Sequence, residues 1–253
     1  MVKTNLTHDR SQAGFTLVEL AIVMIIIGLL IGGILKGQEL IANAQITATA
    51  SQVKAIEAAM TTFRDSYSAV PGDMATPGAR LPNCVAAPCT NTGNGNNRVD
   101  DDDPGALQVT TDENAVFWTH LAAADMIGGV SSTSTDVAAW GNQLPAAEIG
   151  GGFTVGFAAA AANAPGAAGN PVAGHYLALQ LIPSTALGAA ASLVLTPTQA
   201  ARIDRKLDDG VPGTGGTLAA GTAGAATCWA AGPPTVYNEA LTGVLCGLYL
   251  RIQ

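Results

Sequence analysis

The sequence predicts an α+β fold in which one long N-terminal helix precedes a head built on an antiparallel sheet. From residue 15 to 35 the chain is almost wholly apolar, and Glu19 is the only ionisable side chain there. Apolar residues then continue at helical spacing as far as Tyr67. Beyond residue 150, short runs rich in Val, Leu, Ile and aromatics alternate with Gly- and Pro-rich loops, which is typical of antiparallel strands. A length of 253 residues suits one such head plus an anchor.

The apolar segment is long enough to cross a bilayer as a helix, which takes about 20 residues. Backbone groups in lipid must be satisfied within the segment, so a helix is the conformation we expect. A carboxylate inside such a segment is costly unless it finds a partner, which makes Glu19 a functional candidate. Lys3 and Arg10 precede the segment and most acidic residues follow it, so the positive-inside tendency places residues 1–14 in the cytoplasm.

The helix is expected to continue beyond this segment. An apolar stripe recurs at spacings of three, four and seven, and it consists of Ile46, Val53, Ile56, Met60, Phe63 and Tyr67. No proline occurs between residues 15 and 70, and Pro71-Gly72 then favours a chain reversal. We therefore expect one helix from residue 15 to about 68, whose second half packs its stripe on the head.

The head is predicted to contain two helices and four strands. The helices are expected at residues 111–126 and 197–207, and the strands at 152–158, 176–182, 191–195 and 244–252. Thr196-Pro197-Thr198-Gln199 is a capping-box sequence with proline at the first helical position. Apolar side chains alternate at 176–181 and 248–252, so we expect a half-buried sheet. The Gly/Ala/Thr-rich segment 210–226 is predicted to be an exposed loop.

The start of the apolar segment also resembles a known family. The sequence GFTLVEL at residues 14–20, preceded by a short polar leader, is similar to the processing site of type IV prepilins and pseudopilins. The resemblance covers roughly the first 60 residues. It implies cleavage between Gly14 and Phe15, N-methylation of Phe15, and assembly into a helical filament with the apolar helices at its centre. In this family, Glu19 is expected to pair with the Phe15 amine of a neighbouring subunit.

The resemblance also implies a domain organisation for the type IV pilin-like fold. Residues 1–14 form the leader, 15–36 the transmembrane or filament-core half of the helix, 37–70 the head-packing half, and 71–253 the α+β head. Partners are other copies of the chain, other pilin-like subunits and the prepilin peptidase/N-methyltransferase. The location is the inner membrane as a single-pass protein before assembly, and an extracellular or periplasmic filament afterwards.

Alternatives to a filament subunit remain open. A pseudopilin or minor pilin of a type II secretion-like system carries the same N-terminal pattern, and a membrane-anchored binding protein that never polymerises is the third interpretation. A secretory signal peptide cleaved at Ala42-Asn43-Ala44, or a plain signal anchor, competes at the N-terminus. An apolar region of about 21 residues exceeds the ~7–15 of signal peptides, and neither competitor requires Gly14 and Glu19 where they stand.

The composition argues against nucleic-acid binding and catalysis. A formal net charge of −8 is the opposite of the basic patch that nucleic acid requires. The sequence contains no G-x-S-x-G elbow, no phosphate-binding G-x-x-x-x-G-K and no H-E-x-x-H. His120 and His175 stand apart from any catalytic motif, and His120 is expected to be structural. We therefore predict that the chain is not an enzyme.

The four cysteines follow the apolar segment, which fits an oxidising compartment. They permit three full pairings. We favour Cys84–Cys89, which closes a short loop, and Cys228–Cys246, which ties two C-terminal segments together. A metal site is a weaker interpretation, since neither pair has C-x-x-C spacing.

An Asn- and Asp-rich stretch at residues 91–103 offers oxygen ligands of the kind that Ca²⁺ takes. The candidate ligands are Asn94, Asn96, Asp100 and Asp102. The stretch departs from the EF-hand pattern because Arg98 interrupts it and the closing glutamate is missing. A solvated cluster of turns is the competing interpretation, and no other cofactor is expected. A second, weaker acidic candidate consists of Asp204, Asp208 and Asp209.

Overall fold

A computed structural model describes residues 16–99, 111–159, 164, 167–183, 192–221, 227–230 and 232–252. The helices are α1 (Leu17–Tyr67), α2 (Pro77–Arg80), α3 (Glu113–Ala123) and α4 (Pro197–Leu207). The strands are β1 (Gly152–Ala158), β2 (Gly174–Gln180), β3 (Thr217–Ala220), β4 (Trp229–Ala230), β5 (Val236–Tyr237) and β6 (Gly247–Ile252). A long N-terminal helix followed by an antiparallel sheet confirms the predicted α+β, pilin-like fold.

The chain divides into two compact units, Met1–Asn43 and Ala44–Gln253. The second unit contains the head and its core. Within this unit the predicted apolar stripe of α1 is confirmed, because a continuous set of α1 side chains is buried there. The set consists of Ile46, Thr49, Ala50, Val53, Ile56, Ala59, Met60 and Phe63. Tyr67 at the end of the stripe is half-buried against the same core.

The larger sheet has the strand order β1-β2-β6-β3, and every neighbouring pair is antiparallel. Its register places Phe153 opposite Leu179, and Leu177 opposite Leu250. These side chains share the main core with the α1 stripe and with Phe117 and Trp118 of α3. The period of two predicted for β2 and β6 therefore selects the face that meets the helices.

The sheet is not half-buried, so that expectation was wrong. The opposite face carries a second, smaller core in which every member is at most 2% exposed. Its members are Ala158, Ala164, Tyr176, Ala178, Leu218, Ala220 and Tyr249. Most of them are alanine, and Ala167 packs against them from a neighbouring segment. Small side chains let neighbouring chain segments approach this face closely. In the sequence, the small residues that alternate with large apolar ones suggested a face exposed to solvent, but that face is covered.

The prediction of an exposed loop at 210–226 was also wrong in part. Thr217–Ala220 is strand β3, all four of its residues are buried, and it pairs with β6 through Leu218 opposite Tyr249. A four-residue segment of Thr, Leu and Ala has little strand propensity of its own, and its pairing with β6 decides the conformation. The predicted strand at 191–195 is likewise absent from its described part, where Leu195 makes one isolated bridge with Cys246.

Local sequence signals set the start of α4. The Thr196 side chain accepts a hydrogen bond from Gln199 N–H (3.3 Å), and Gln199 Oε1 accepts one from Thr196 N–H (2.9 Å). This is the predicted capping box, with Pro197 in the first turn. Disulfides join Cys84 to Cys89 and Cys228 to Cys246, which are the pairs favoured from the sequence. The second disulfide ties the residue before β4 to the residue before β6.

Candidate functional site

The described part of the first unit exposes a large apolar surface. Large apolar side chains from Leu17 to Ile41 are exposed, from 45% at Ile27 to 87% at Leu17. Among the described residues, α1 is the one helix long and apolar enough to cross a membrane, and the mean hydropathy of its most apolar stretch is 2.8. Apolar area costs roughly 25 cal/mol per Å² to keep in water. A surface of this kind marks a membrane or protein contact.

Glu19 lies at the start of this surface and is bonded to Thr16. Thr16 N–H and its hydroxyl both donate to Glu19 Oε2, at 2.9 and 2.8 Å, and Glu19 N–H donates back to Thr16 Oγ1 at 3.2 Å. Thr16 immediately precedes α1 and Glu19 is its third residue, so this is the reciprocal bonding of a capping box. Oε2 of the carboxylate therefore accepts two hydrogen bonds, but no cation neutralises its charge in these contacts.

The predicted processing residues Gly14 and Phe15 lie outside the described residues, as does the whole leader 1–14. Four glycines follow within α1, at Gly28, Gly32, Gly33 and Gly37. A Cβ built on any of these four meets no atom within 4 Å. Among the described residues, then, no packing contact requires glycine at these positions.

The comparisons with known proteins match the chain at this site. Residues 9–35 match the family model described as the prokaryotic N-terminal methylation motif, which is the type IV pilin and pseudopilin signature. No curated protein and no solved structure matches the chain. The fold and this site thus define a pilin-like protein with an α+β head. The chain carries the N-terminal signature of type IV pilins and pseudopilins, a family of structural subunits, and the apolar helix fits an inner-membrane-anchored precursor.

In the head, the predicted calcium-binding stretch forms a loop in which every backbone N–H from Gly93 to Val99 is hydrogen-bonded. Each N–H of these seven residues has an acceptor. The acceptors are Met74 O for Gly93, Glu113 Oε1 for Asn94, Asp73 Oδ1 for Gly95, Asn94 Oδ1 for Asn96, Asp73 Oδ2 for Asn97, Asn96 Oδ1 for Arg98 and His175 Nε2 for Val99. Side chains supply six of the seven acceptors, so the loop is ordered without belonging to a helix or a strand.

Two buried carboxylates organise this loop, namely Asp73 and Glu113, which are 3% and 8% exposed. Gly93 passes between them, and a Cβ there would lie 2.4 Å from Asp73 Cα and 2.8 Å from Glu113 Oε1. Only glycine fits such a close approach of backbone to backbone. Sequence reasoning missed both carboxylates because their partners lie 19 to 24 residues away in the chain.

The predicted calcium ligands divide into two groups. The Oδ1 atoms of Asn94 and Asn96 each accept a backbone N–H two residues ahead, at 2.9 and 2.7 Å. Asp100 and Asp102 lie outside the described residues. Calcium binding by this loop stays a prediction, and the geometry shown here assigns the two asparagines to turn formation.

Both described histidines act as buried hydrogen-bond acceptors. His120 Nδ1 accepts from Gly72 N–H (2.9 Å), and its Nε2–H donates to Cys89 O (2.9 Å), so the ring joins two segments of the chain to α3. His175 Nε2 accepts from Val99 N–H at 3.2 Å. Burial lowers the pKa of each imidazole from 6.5 to about 4, and the charge of Arg64 lowers the pKa of His175 further. Both rings are therefore neutral and structural near pH 7.

The second acidic candidate is a cluster in which carboxylate oxygens of Asp204, Asp208 and Asp209 lie within 4.8 Å of one another. Tyr237 O–H donates to Asp204 Oδ2 (2.9 Å), while Asp208 Oδ2 accepts from Gly216 and Thr217 N–H. Burial raises the pKa of Asp204 to about 7, against the lowering effect of the Tyr237 hydrogen bond. These contacts hold the turn that leads from α4 into β3.

Proposed function

We propose that this protein is a structural subunit of a type IV pilus-like filament. The observation that carries the proposal is the exposed apolar surface of α1 between Leu17 and Ile41, most of which lies within the methylation motif matched at residues 9–35. Lipid covers this surface in the precursor, and the same surface of other subunits covers it in the filament. The head remains in an extracellular or periplasmic location, which its two disulfides fit.

The processing steps follow from the same motif. A prepilin peptidase cleaves after Gly14 on the cytoplasmic side, and N-methylation of the freed Phe15 amine keeps its positive charge. That amine then pairs with Glu19 of a neighbouring subunit in the apolar filament core. Thr16 donates two hydrogen bonds to Glu19 Oε2 but leaves the carboxylate charge, so an unpaired Glu19 in an apolar core is unfavourable. Pairing therefore selects the correct register between subunits.

The variant Glu19→Gln tests this role more sharply than Glu19→Ala. Glutamine can complete the capping box, as Gln199 does for α4, so the variant removes the charge and leaves the helix start intact. We expect normal cleavage after Gly14, seen by mass spectrometry of the mature N-terminus, and absent or disordered filaments, seen by electron microscopy of sheared surface material. Normal filaments from Glu19→Gln would rule out charge pairing, and normal filaments from Glu19→Ala would rule out any role of Glu19 in assembly.

The same measurements separate the alternatives. A methylated Phe15 with filaments of this chain alone supports a major subunit. A methylated Phe15 in a chain that is incorporated only with another pilin-like subunit supports a minor pilin or a pseudopilin of a type II secretion-like system. A mature chain that starts at Gln45, or a processed chain that stays monomeric, supports a membrane-anchored binding protein.

A further inference from the structure

The ordered loop at 93–99 contains the one Asn-Gly pair of the sequence, Asn94-Gly95. Both residues are exposed, so water reaches them. An asparagine before glycine is the pair most open to attack by the following backbone nitrogen on the side-chain amide, because glycine has no Cβ to obstruct it. What distinguishes this pair is the set of groups that the fold places around it.

Each reacting group has a partner suited to that attack. Gly95 N–H, the nucleophile, donates to Asp73 Oδ1, so a buried carboxylate is in place to accept its proton. The amide oxygen of Asn94 accepts from Asn96 N–H at 2.9 Å, so a donor faces the oxygen on which negative charge develops. Glu113 fixes the Asn94 backbone through Asn94 N–H at 2.8 Å. The Asn94-Gly95 pair is thus surrounded by a base (Asp73), a donor to the developing oxyanion (Asn96 N–H) and a group that positions the backbone (Glu113).

We propose that Asn94 is a site of self-catalysed deamidation. Gly95 N attacks Asn94 Cγ, a new N–Cγ bond forms, and Asp73 takes the proton from nitrogen. The Cγ–NH₂ bond then breaks, and the proton leaves with the amide nitrogen as ammonia. Water opens the resulting succinimide and yields aspartate or isoaspartate, so no other reactant is required.

The modification has a structural consequence. The succinimide nitrogen carries no hydrogen, so the bond from Gly95 to Asp73 is lost as the ring forms. Ring opening leaves a new carboxylate in a loop already held by the carboxylates of Asp73 and Glu113. The new carboxylate carries the same charge as those of Asp73 and Glu113 and is repelled by them, so deamidation loosens the loop that Asp73 organised.

The experiment compares the folded full chain with a synthetic peptide of residues 81–98, the tryptic fragment between Arg80 and Arg98. Both are incubated in the same neutral buffer, and mass spectrometry with fragmentation measures deamidation at each asparagine. We expect Asn94 to react on the order of tenfold faster in the folded chain than in the peptide, since general-base assistance is typically worth more than that. Asn91, Asn96 and Asn97 serve as internal controls. An equal or slower rate in the folded chain overturns the proposal.

Two variants separate catalysis from loop order. Asp73→Asn keeps a hydrogen-bond acceptor but loses the base, so its Asn94 rate should fall to that of the peptide. Arg98→Ala removes the contact of the guanidinium with the Phe157 ring, 4.7 Å away, and should leave the rate unchanged. If Arg98→Ala slows the reaction as much as Asp73→Asn, the role of Asp73 is structural and the proposal fails. Should Asp73→Asn fail to fold, the comparison of the wild-type chain with the peptide still decides.

Discussion

The two halves of α1 contain similar apolar residues but differ in what covers them. Between Leu17 and Ile41 the large side chains are exposed, whereas Ile46, Met60 and Phe63 are at most 1% exposed. The chain itself supplies a core for the second half, through α3 and the sheet. No described residue covers the large side chains of the first half, so we expect their cover to come from lipid or from other molecules. Substitutions in the two halves should therefore act on different processes, stability of the head and assembly.

Among single substitutions, the largest expected effect is that of Phe63→Ala in the second half. Phe63 is fully buried, lies 4.7 Å from the Tyr67 ring and stacks on His120 at 6.4 Å between centroids. Removing such a ring from a core should lower the unfolding free energy by about 3–5 kcal/mol. Urea unfolding of the full chain in detergent, followed by near-UV circular dichroism, measures the loss.

The matched control is Ile25→Ala in the first half, where the side chain is 63% exposed. We expect its effect on head unfolding to stay within about 0.5 kcal/mol, as at other uncovered positions. Its effect should appear as fewer or shorter filaments. A large loss of head stability in Ile25→Ala would show that the two halves do not differ in the way described.

Acidic pH should also lower the unfolding free energy of the head, through two histidines that are buried there. His120 and His175 have folded-state pKa values of about 4, below the 6.5 of the unfolded chain, so the unfolded state binds more protons between these values. Stability should therefore fall as the pH drops from 6.5 to 4, by about 3 kcal/mol per histidine. Unfolding free energies measured across this interval test the direction.

Asp204 works in the opposite direction. Its folded-state pKa of about 7 exceeds the ordinary aspartate value of 3.8, so the folded state binds the extra proton, and stability rises as the pH falls from 7 to 4. Asp204→Asn removes this contribution while keeping an acceptor for Tyr237. We expect a steeper acid loss in this variant and a gain in stability above pH 7. If the unfolding free energy of Asp204→Asn varied with pH as in the wild type, Asp204 would not be the group responsible for this contribution.

A smaller effect concerns the two capping boxes. Thr196→Ala removes the side-chain acceptor for Gln199 N–H at the start of α4 and should cost about 1 kcal/mol of head stability. Thr16→Ala removes the corresponding acceptor for Glu19 N–H at the start of α1, where no head core depends on it. Thermal unfolding of the head should respond to the first substitution and not to the second.

The smallest effect on the isolated chain is expected for Gly32→Ala and Gly33→Ala. A Cβ at either position meets no atom of the described residues within 4 Å, and alanine favours helix over glycine by up to about 1 kcal/mol. Helicity in detergent, measured by circular dichroism, should therefore rise slightly or stay the same. Filament yield should fall if neighbouring helices approach closely at these glycines. Unchanged filaments would mean that the glycines are not packing positions.

Much of the fold could be predicted because its strongest signals are local. The α1 stripe, the α4 capping box and the limits of β1 depend on residues near one another in the chain. Strand β3 could not be predicted in the same way, since its four small residues become a strand through pairing with β6, about 30 residues later. The second core could not be predicted either, because its alanines do not form the alternation of apolar and polar residues that marks a buried face.

In the candidate sites, too, the residues with local sequence signals could be predicted and those with distant partners could not. Gly14 and Glu19 were recognisable because the motif is contiguous, and Thr16 lies within it as the partner of Glu19. The capping-box spacing of Thr16 and Glu19 was visible in the sequence and would have identified that contact. Asp73 and Glu113 carried no such signal, since each gains its hydrogen-bond partners only where the fold brings the loop at 93–99 against it.

The position of β6 in the sheet has a consequence for the time at which the head can fold. Among the described strands β6 comes latest in the chain, yet it lies between β2 and β3 and pairs with both. Until residues 247–252 are available, β2 has one neighbour and β3 has none in this sheet. Long-range pairing of this kind makes completion of the sheet a late step. A chain exported through a membrane would thus keep its sheet open until residues 247–252 had crossed.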